Sequence, residues 1–412
     1  MNNLALSWTN RLSRFFEIDV AHLIKGGSWM NANFIATSLL GLLSSVLLAR
    51  FVSKDAYGTY QFILAAASAI AVFAPNTMSS AVIRSVAQGN EGDLVRATSF
   101  QLRWGLIASV IALAVSGWYL WQYNLGLSAA FLLVALLMPS TLALNTWGAY
   151  LQGKKEYRGY FFYNLLGTAI AYGGVIAAIF IKPEFFWLAL GNILFAFLAN
   201  LILYRLTIKK YRPNKQTAPD TLAYGTHLSV MGIPKGLVGP LDALLIFHFL
   251  GAAPLAIYSF ATILPEKLIG GLKAIPTMAL PKFSEKNEED VKTFFKKKIW
   301  WLLLFLGIIA ALYALVAPFL FDLLFPTYTE SIPFTRVYAL SFFAVAASVI
   351  HAALLSQKKT KELYYSTIAS PLVKAGLLVG LMIPFGIWGI IWAKLITIAF
   401  QIILPTYLLY RR

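Results

Sequence analysis

Seven charged residues fall inside long apolar stretches of the second half of the chain: Lys235, Asp242, Glu266, Lys267, Lys273, Lys374 and Lys394. A charge within a stretch long enough to cross a bilayer is costly, and it marks a substrate or ion path by default. Asp242 follows Lys235 by seven residues, two helical turns, so on an unbroken helix both face one way. Pro234 and Pro240 accompany them and predict a broken or kinked helix. Glu266 and Lys273 repeat the spacing between Pro265 and Pro276, with Gly270 and Gly271 in between. The carbonyls freed by such prolines must be satisfied by a cavity or a neighbouring helix.

The residue types suggest two roles. Asp242 and Glu266 can titrate, so they are the candidates for coupling to a proton or sodium gradient. Lys235, Lys267, Lys374 and Lys394, with Arg50 after the first span and Arg84 closing the second, are candidate cations for an anionic substrate. Five lysines against two acids leave a positive excess inside the spans. Set against this is the reading that each is an internal ion pair or a lysine snorkelling to the interface. Lys374 and Lys394 sit nearer mid-span and lack an obvious local acid. Arg84 reads equally well as a surface anchor.

Other chemistry is poorly supplied. The chain has no cysteine, and His22, His227, His248 and His351 show no metal-ligand spacing. No GxxxxGK[ST] loop is present, so direct ATP coupling is not expected. No cofactor, metal or covalent catalysis is expected, and the protein does not read as an enzyme.

The elements that must position these charges are transmembrane helices. Of 412 residues, 59% are hydrophobic and 12% are charged, and the mean hydropathy is +0.70. Continuous apolar segments of about 20 residues match a hydrocarbon core of about 30 Å. Their lack of alternation excludes a membrane barrel. Twelve spans are predicted: 27–49, 58–80, 102–122, 126–150, 161–181, 185–207, 228–250, 255–279, 299–320, 334–356, 364–382 and 386–408. No cleavable signal peptide is visible, and residues 4–24 read as an amphipathic helix on the membrane surface.

Charge tests the count. With both termini inside, only Arg50, Lys54, Lys182 and Arg336 of the 34 basic residues fall in outer loops. This bias follows the positive-inside rule, so the net charge of +17 is a topology signal rather than a nucleic-acid footprint. The expected organisation is a cytoplasmic segment at 1–26, a six-helix lobe at 27–207, a linker at 208–226 and a second lobe at 227–412. Residues 281–298, containing KFSEKNEEDVKTFFKKK, read as a surface helix or a charged linker.

An internal repeat supports two lobes. LLARFVSKDAYGTYQF at 47–62 matches LIFHFLGAAPLAIYSF at 245–260, pairing Phe51 with Phe249, Tyr60 with Tyr258 and Phe62 with Phe260. Same-sense repeats imply lobes related by an axis along the membrane normal.

The first copy, with Ala49, Arg50, Asp55, Tyr57, Gly58 and Tyr60, resembles the opening signature of the Wzx-type O-antigen and repeat-unit flippases. SSAVIRSVAQ, LDALLIFHFLGAAPLAIYSFA and IPTMALPKFSE resemble later signatures, with Asp242 at a frequent acidic position. Leu255-Ala256 departs from the more usual Val-Gly. The family shares a superfamily with multidrug-and-toxin extruders and lipid II flippases. The resemblance implies an all-α, V-shaped pair of six-helix lobes working by alternating access at the bacterial inner membrane. It implies a polyprenyl-pyrophosphate-linked glycan as substrate, undecaprenyl being the usual carrier. Membrane lipids, a polysaccharide polymerase and a chain-length regulator are the implied partners, in surface polysaccharide (O-antigen, lipopolysaccharide) synthesis.

Three rivals remain. A multidrug-and-toxin-type exporter driven by an ion gradient favours an acidic cavity for organic cations. A membrane glycan-joining enzyme calls for a sizeable outer loop, and none is visible. A scaffolding relative that has lost transport needs no charged path.

Overall fold

The computed structural model describes residues 28–75, 77–272, 276, 283–285, 287–357 and 359–410. The predicted N-terminal surface helix and Lys273 lie outside the described residues. Every described element is helical: α1 (Ser28–Phe51), α2 (Lys54–Ala71), α3 (Met78–Ala87), α4 (Asp93–Trp121), α5 (Leu125–Leu144), α6 (Thr146–Gly153), α7 (Tyr157–Ile181) and α8 (Phe185–Tyr211). The second half gives α9 (Thr221–Val238), α10 (Leu241–Leu250), α11 (Ala252–Leu272), α12 (Glu288–Leu324), α13 (Ile332–Tyr338), α14 (Ala344–Ser356) and α15 (Thr360–Tyr410).

Ten described segments are long and apolar enough to cross a membrane. Two places explain the difference from twelve. The segment Tyr365–Tyr410 is a hairpin, because Gly386 takes φ 56° and ψ −131°, outside helical space. A Cβ on Gly389 would fall 1.9 Å from the Leu381 carbonyl oxygen. The ends of α15 also meet, since the Lys359 ammonium donates to the Leu409 carbonyl at 3.2 Å. The other place is the second pass, which is divided into α2 and α3 around Pro75. Counted so, the described helices make twelve passes. The charged stretch from Glu288 is not a separate surface helix, because it forms the first turns of α12.

The chain forms two compact units. The larger holds Ala36–Ser259 with Phe325–Thr327. Within it α4 turns a face of small and polar residues, Ala97, Thr98, Gln101, Gly105, Ala108, Ala112 and Ser116, to the interior. Small residues let helix backbones approach in a solvent where apolar burial gives little drive. The Ser109 hydroxyl donates to the Ala135 carbonyl at 2.6 Å and Ser116 to that of Ser128 at 2.8 Å. Gly174 of α7 and Gly191 of α8 meet so closely that a Cβ on either would lie 2.3 Å from the other's carbonyl oxygen.

Helix α9 packs on α3 in the same unit. Gly225 lies against Met78 and Gly236 against Val72, and the Thr77 and Ser229 hydroxyls share a 2.8 Å hydrogen bond. The smaller unit gathers Phe260–Leu324 and Tyr328–Arg412 with the start of α1 through Ile35. Its core is Val291, Phe295, Leu302 and Leu306 of α12 against Val345, Val349 and Ile350 of α14 and Leu409 of α15.

Candidate functional site

In the smaller unit, three helices bring charges together inside the membrane-spanning segments. Glu266 lies on α11, Tyr338 ends α13, and Lys394 follows the Gly386 reversal in α15. The Glu266 Oε1 accepts from the Tyr338 hydroxyl at 3.1 Å and from the Lys394 ammonium at 3.4 Å. That ammonium also sits 5.1 Å from the Tyr338 ring centroid, within cation–π range. The Lys394 side chain is 16% exposed and that of Glu266 54%.

Lys394 therefore has the acid partner that its local sequence lacks. The partner is 128 residues away, which no local spacing reveals. Lys267 is half-buried, with no ion pair among the described residues, and Lys374 is half-buried on the first arm of α15. An uncompensated lysine at mid-helix costs about 2.5–3.5 kcal/mol on insertion scales, so Glu266 and Tyr338 offset part of that cost for Lys394.

In the larger unit, Asp242 begins α10 and is buried. Its Oδ2 accepts from the Tyr258 hydroxyl at 2.5 Å, and its Oδ1 from the Ala243 N–H at 2.9 Å. The repeat pairs Asp242 with Ser44 and Tyr258 with Tyr60. Ser44 and Tyr60 are buried too, and the Ser44 hydroxyl has no hydrogen-bond partner among the described residues. Only the second copy thus carries the carboxylate.

The expected shared face of Lys235 and Asp242 is not found. The break at Gly239 and Pro240 separates α9 from α10 and resets the helical phase, leaving Lys235 exposed while Asp242 is buried. Arg50 is exposed on the last turn of α1. Arg84 is exposed at the end of α3, 3.9 Å from Asp220 and 5.1 Å from the Tyr224 ring centroid. That placement fits a surface anchor.

Sequence reasoning passed over a polar clasp between residues 89–93 and the inter-half linker. Asp93 is fully buried in the first turn of α4. Its Oδ2 accepts from the Ser85 hydroxyl, from the Thr221 hydroxyl at 2.6 Å and from the Ala218 N–H at 3.0 Å. Glu91 accepts from Lys154 at 2.6 Å, from the Tyr150 hydroxyl at 2.9 Å and from the Asn214 N–H at 3.3 Å. The Gly92 N–H donates to the Gln216 carbonyl at 2.8 Å. A Cβ on Gly92 would lie 2.8 Å from that same carbonyl oxygen. Burial pushes the Glu91 carboxyl up, but hydrogen bonds from Lys154, Tyr150 and Asn214 and the Lys154 charge outweigh it and hold it below its ordinary value. The available signal was GNEGD, two acids flanked by glycines in an otherwise basic loop.

A family model described as a polysaccharide biosynthesis protein matches residues 47–297 and 287–412. No curated protein matches the chain. Among solved structures, the lipid II flippase MurJ in an inward closed conformation aligns with a TM-score of 0.68 at 15% identity, over 93% of this chain and 87% of that one. An inward-facing multidrug resistance transporter of the MATE family aligns with a TM-score of 0.64 at 14% identity, over 93% and 94%. The eukaryotic MATE transporter AtDTX14 aligns with a TM-score of 0.54 at 14% identity, over 94% and 95%. Identities this low speak to the fold, whereas the family model covers nearly the whole length. The chain is a multi-pass membrane protein with the fold shared by MurJ and the MATE transporters, and it belongs to the polysaccharide biosynthesis protein family.

Proposed function

We propose that the protein translocates a polyprenyl-pyrophosphate-linked oligosaccharide across the bacterial inner membrane by alternating access, with both termini cytoplasmic. The observation that carries this reading is the cationic excess within the membrane-spanning helices of the smaller unit. There Lys267, Lys374 and Lys394 accompany Glu266 on α11 and α15. Ammonium groups suit a pyrophosphate because charge-assisted contacts to phosphate oxygens are strong and tolerate a loosely fixed partner. Family membership and the flippase-like fold support the same reading.

Asp242 and Glu266 serve in it as the coupling carboxylates. Each bonds a tyrosine hydroxyl, so a bound cation or proton competes with a defined contact. The test is complementation of surface-polysaccharide export, with protein amount checked by blot. The double Lys374→Ala, Lys394→Ala variant should insert normally and export poorly, and Lys→Arg replacements should retain more activity. Full export by the double alanine variant would sink the lysine assignment.

A second reading, ion-driven export of a small cationic compound, draws on the equally extensive likeness to MATE transporters. It predicts instead that Asp242→Asn and Glu266→Gln abolish drug resistance while the lysine variants do not.

A further inference from the structure

We propose that the basic end of the α7–α8 hairpin is a docking site for the headgroup of an anionic phospholipid. The two helices are joined by a short turn at residues 182–184, so they run antiparallel and the start of α7 meets the end of α8. A Cβ on Gly159 would lie 3.0 Å from the Tyr211 hydroxyl, and one on Gly167 2.9 Å from Leu203, so the pair is tightly apposed.

Six cations collect at this end: Lys155, Arg158, Arg205, Lys209, Lys210 and Arg212, all exposed. The sole acid in the two stretches that hold them is Glu156. Lys155, Arg205, Lys209 and Arg212 make no side-chain hydrogen bond or ion pair among the described residues. Lys210 lies over the rings of Tyr163 on α7 and Tyr211 on α8, at 5.9 and 5.1 Å, and so bridges the seam. The opposite end of the same hairpin is balanced, because Lys182 pairs with Glu184 at 3.3 Å.

Two bland explanations cover part of this charge. Lys209 and Lys210 complement the negative end of the α8 dipole, and topology favours cations on one side of the membrane. Topology accounts for the side on which all six sit; it does not set the close apposition of the two helices or the bridge that Lys210 makes across their seam. Directly along the helices lie exposed apolar side chains, Phe162 on α7 and Ile202 and Leu206 on α8. Cations stacked over a lipid-facing apolar surface match an amphiphile with a phosphate head and acyl chains. A soluble polyanion or nucleic acid would have no use for the apolar part. Basic clusters at helix ends are the general recognition device for such headgroups.

The experiment uses the purified full-length protein in detergent, titrated with dioleoylphosphatidylglycerol or dioleoylphosphatidylcholine and read by native mass spectrometry. The wild type should retain phosphatidylglycerol adducts in preference to phosphatidylcholine. The pairs Arg205→Gln/Lys209→Gln and Lys155→Gln/Arg212→Gln should each weaken that binding about tenfold or more. A control pair, Lys296→Gln/Lys297→Gln, removes equal charge from exposed positions on α12 and should leave it unchanged. Size exclusion reports folding, and either site pair alone decides if the other misfolds. Equal loss in the control pair would mean diffuse attraction and overturn the site, as would full retention in a folded site pair. Unchanged phosphatidylglycerol binding with loss of a polyprenyl pyrophosphate would reassign the patch to substrate capture and also overturn the proposal. None of these residues belongs to the lysine and carboxylate set proposed for transport, so the two readings fail separately.

Discussion

Asp242 and Glu266 are both carboxylates on apolar helices, yet their surroundings differ. Asp242 is buried and held by the Tyr258 hydroxyl and a backbone N–H, whereas Glu266 is half open and shared between Tyr338 and Lys394. If Asp242 is the coupling group, Asp242→Asn should flatten the pH dependence of export. Tyr258→Phe should slow export while the pH dependence persists. Unaltered pH dependence in a folded, exporting Asp242→Asn protein would remove Asp242 from that role. Glu91 gives a second test. Its carboxyl is held below its ordinary value, so its contribution to the clasp is full above the unfolded value and fades as pH falls through the lowered one. The chain has no cysteine, so a spin label at Thr217→Cys reports on the linker alone. Its mobility should rise only as pH falls below the ordinary carboxylate range, and Glu91→Gln should raise it already at neutral pH. The acids on long apolar helices were legible because charge is rare there. Their partners were not, since Glu266 and Lys394 meet only through tertiary packing across 128 residues.

At the scale of elements, small residues set how closely the helices approach. Gly173 and Gly174 are neighbours on α7 with opposite surroundings: a Cβ at Gly173 meets nothing within 4 Å, whereas one at Gly174 meets the Gly191 carbonyl oxygen at 2.3 Å. Gly174→Leu should therefore force α7 and α8 apart and lower the thermal midpoint of the purified protein, with a cost of about 1–3 kcal/mol for overpacking. Gly173→Leu should lower it little or not at all. A matched loss in both would mean that helix propensity rather than the close approach controls the outcome. The pass boundaries were readable because a bilayer demands a fixed apolar length. The divisions within passes were only partly so. Pro240 announced the break before α10, but the reversal at Gly386 lies in IPFGIWGI, where Pro384 alone does not distinguish a kink from a full turn.

At the scale of the whole molecule, topology depends on how α15 and the α2–α3 pair are counted. Length and hydropathy alone give ten spans, and twelve follow only if α15 turns back at Gly386 and α2–α3 crosses once. Each choice changes which loops share a side. With twelve passes and the termini inside, Gln216, Asn287 and Gln357 lie in inner loops, while Tyr123, Lys182 and Phe385 lie in outer turns. The cysteine-free chain allows one reporter at a time. Single cysteines at Tyr123, Lys182 and Phe385 should react with a membrane-impermeant maleimide added to intact cells. Those at Gln216, Asn287 and Gln357 should react only after the membrane is opened. Phe385 is the decisive position, because it is 61% exposed beside the reversal. If α15 crossed once as a continuous rod, its 51 residues would extend about 75 Å, more than twice a hydrocarbon core of about 30 Å. Residue 385 would then lie near mid-membrane and stay unlabelled under both conditions. Labelling at Phe385 from outside, with Gln357 protected, would fix the hairpin and with it the even number of passes. Protection at Phe385 would break the alternation of basic loops from which the orientation was read.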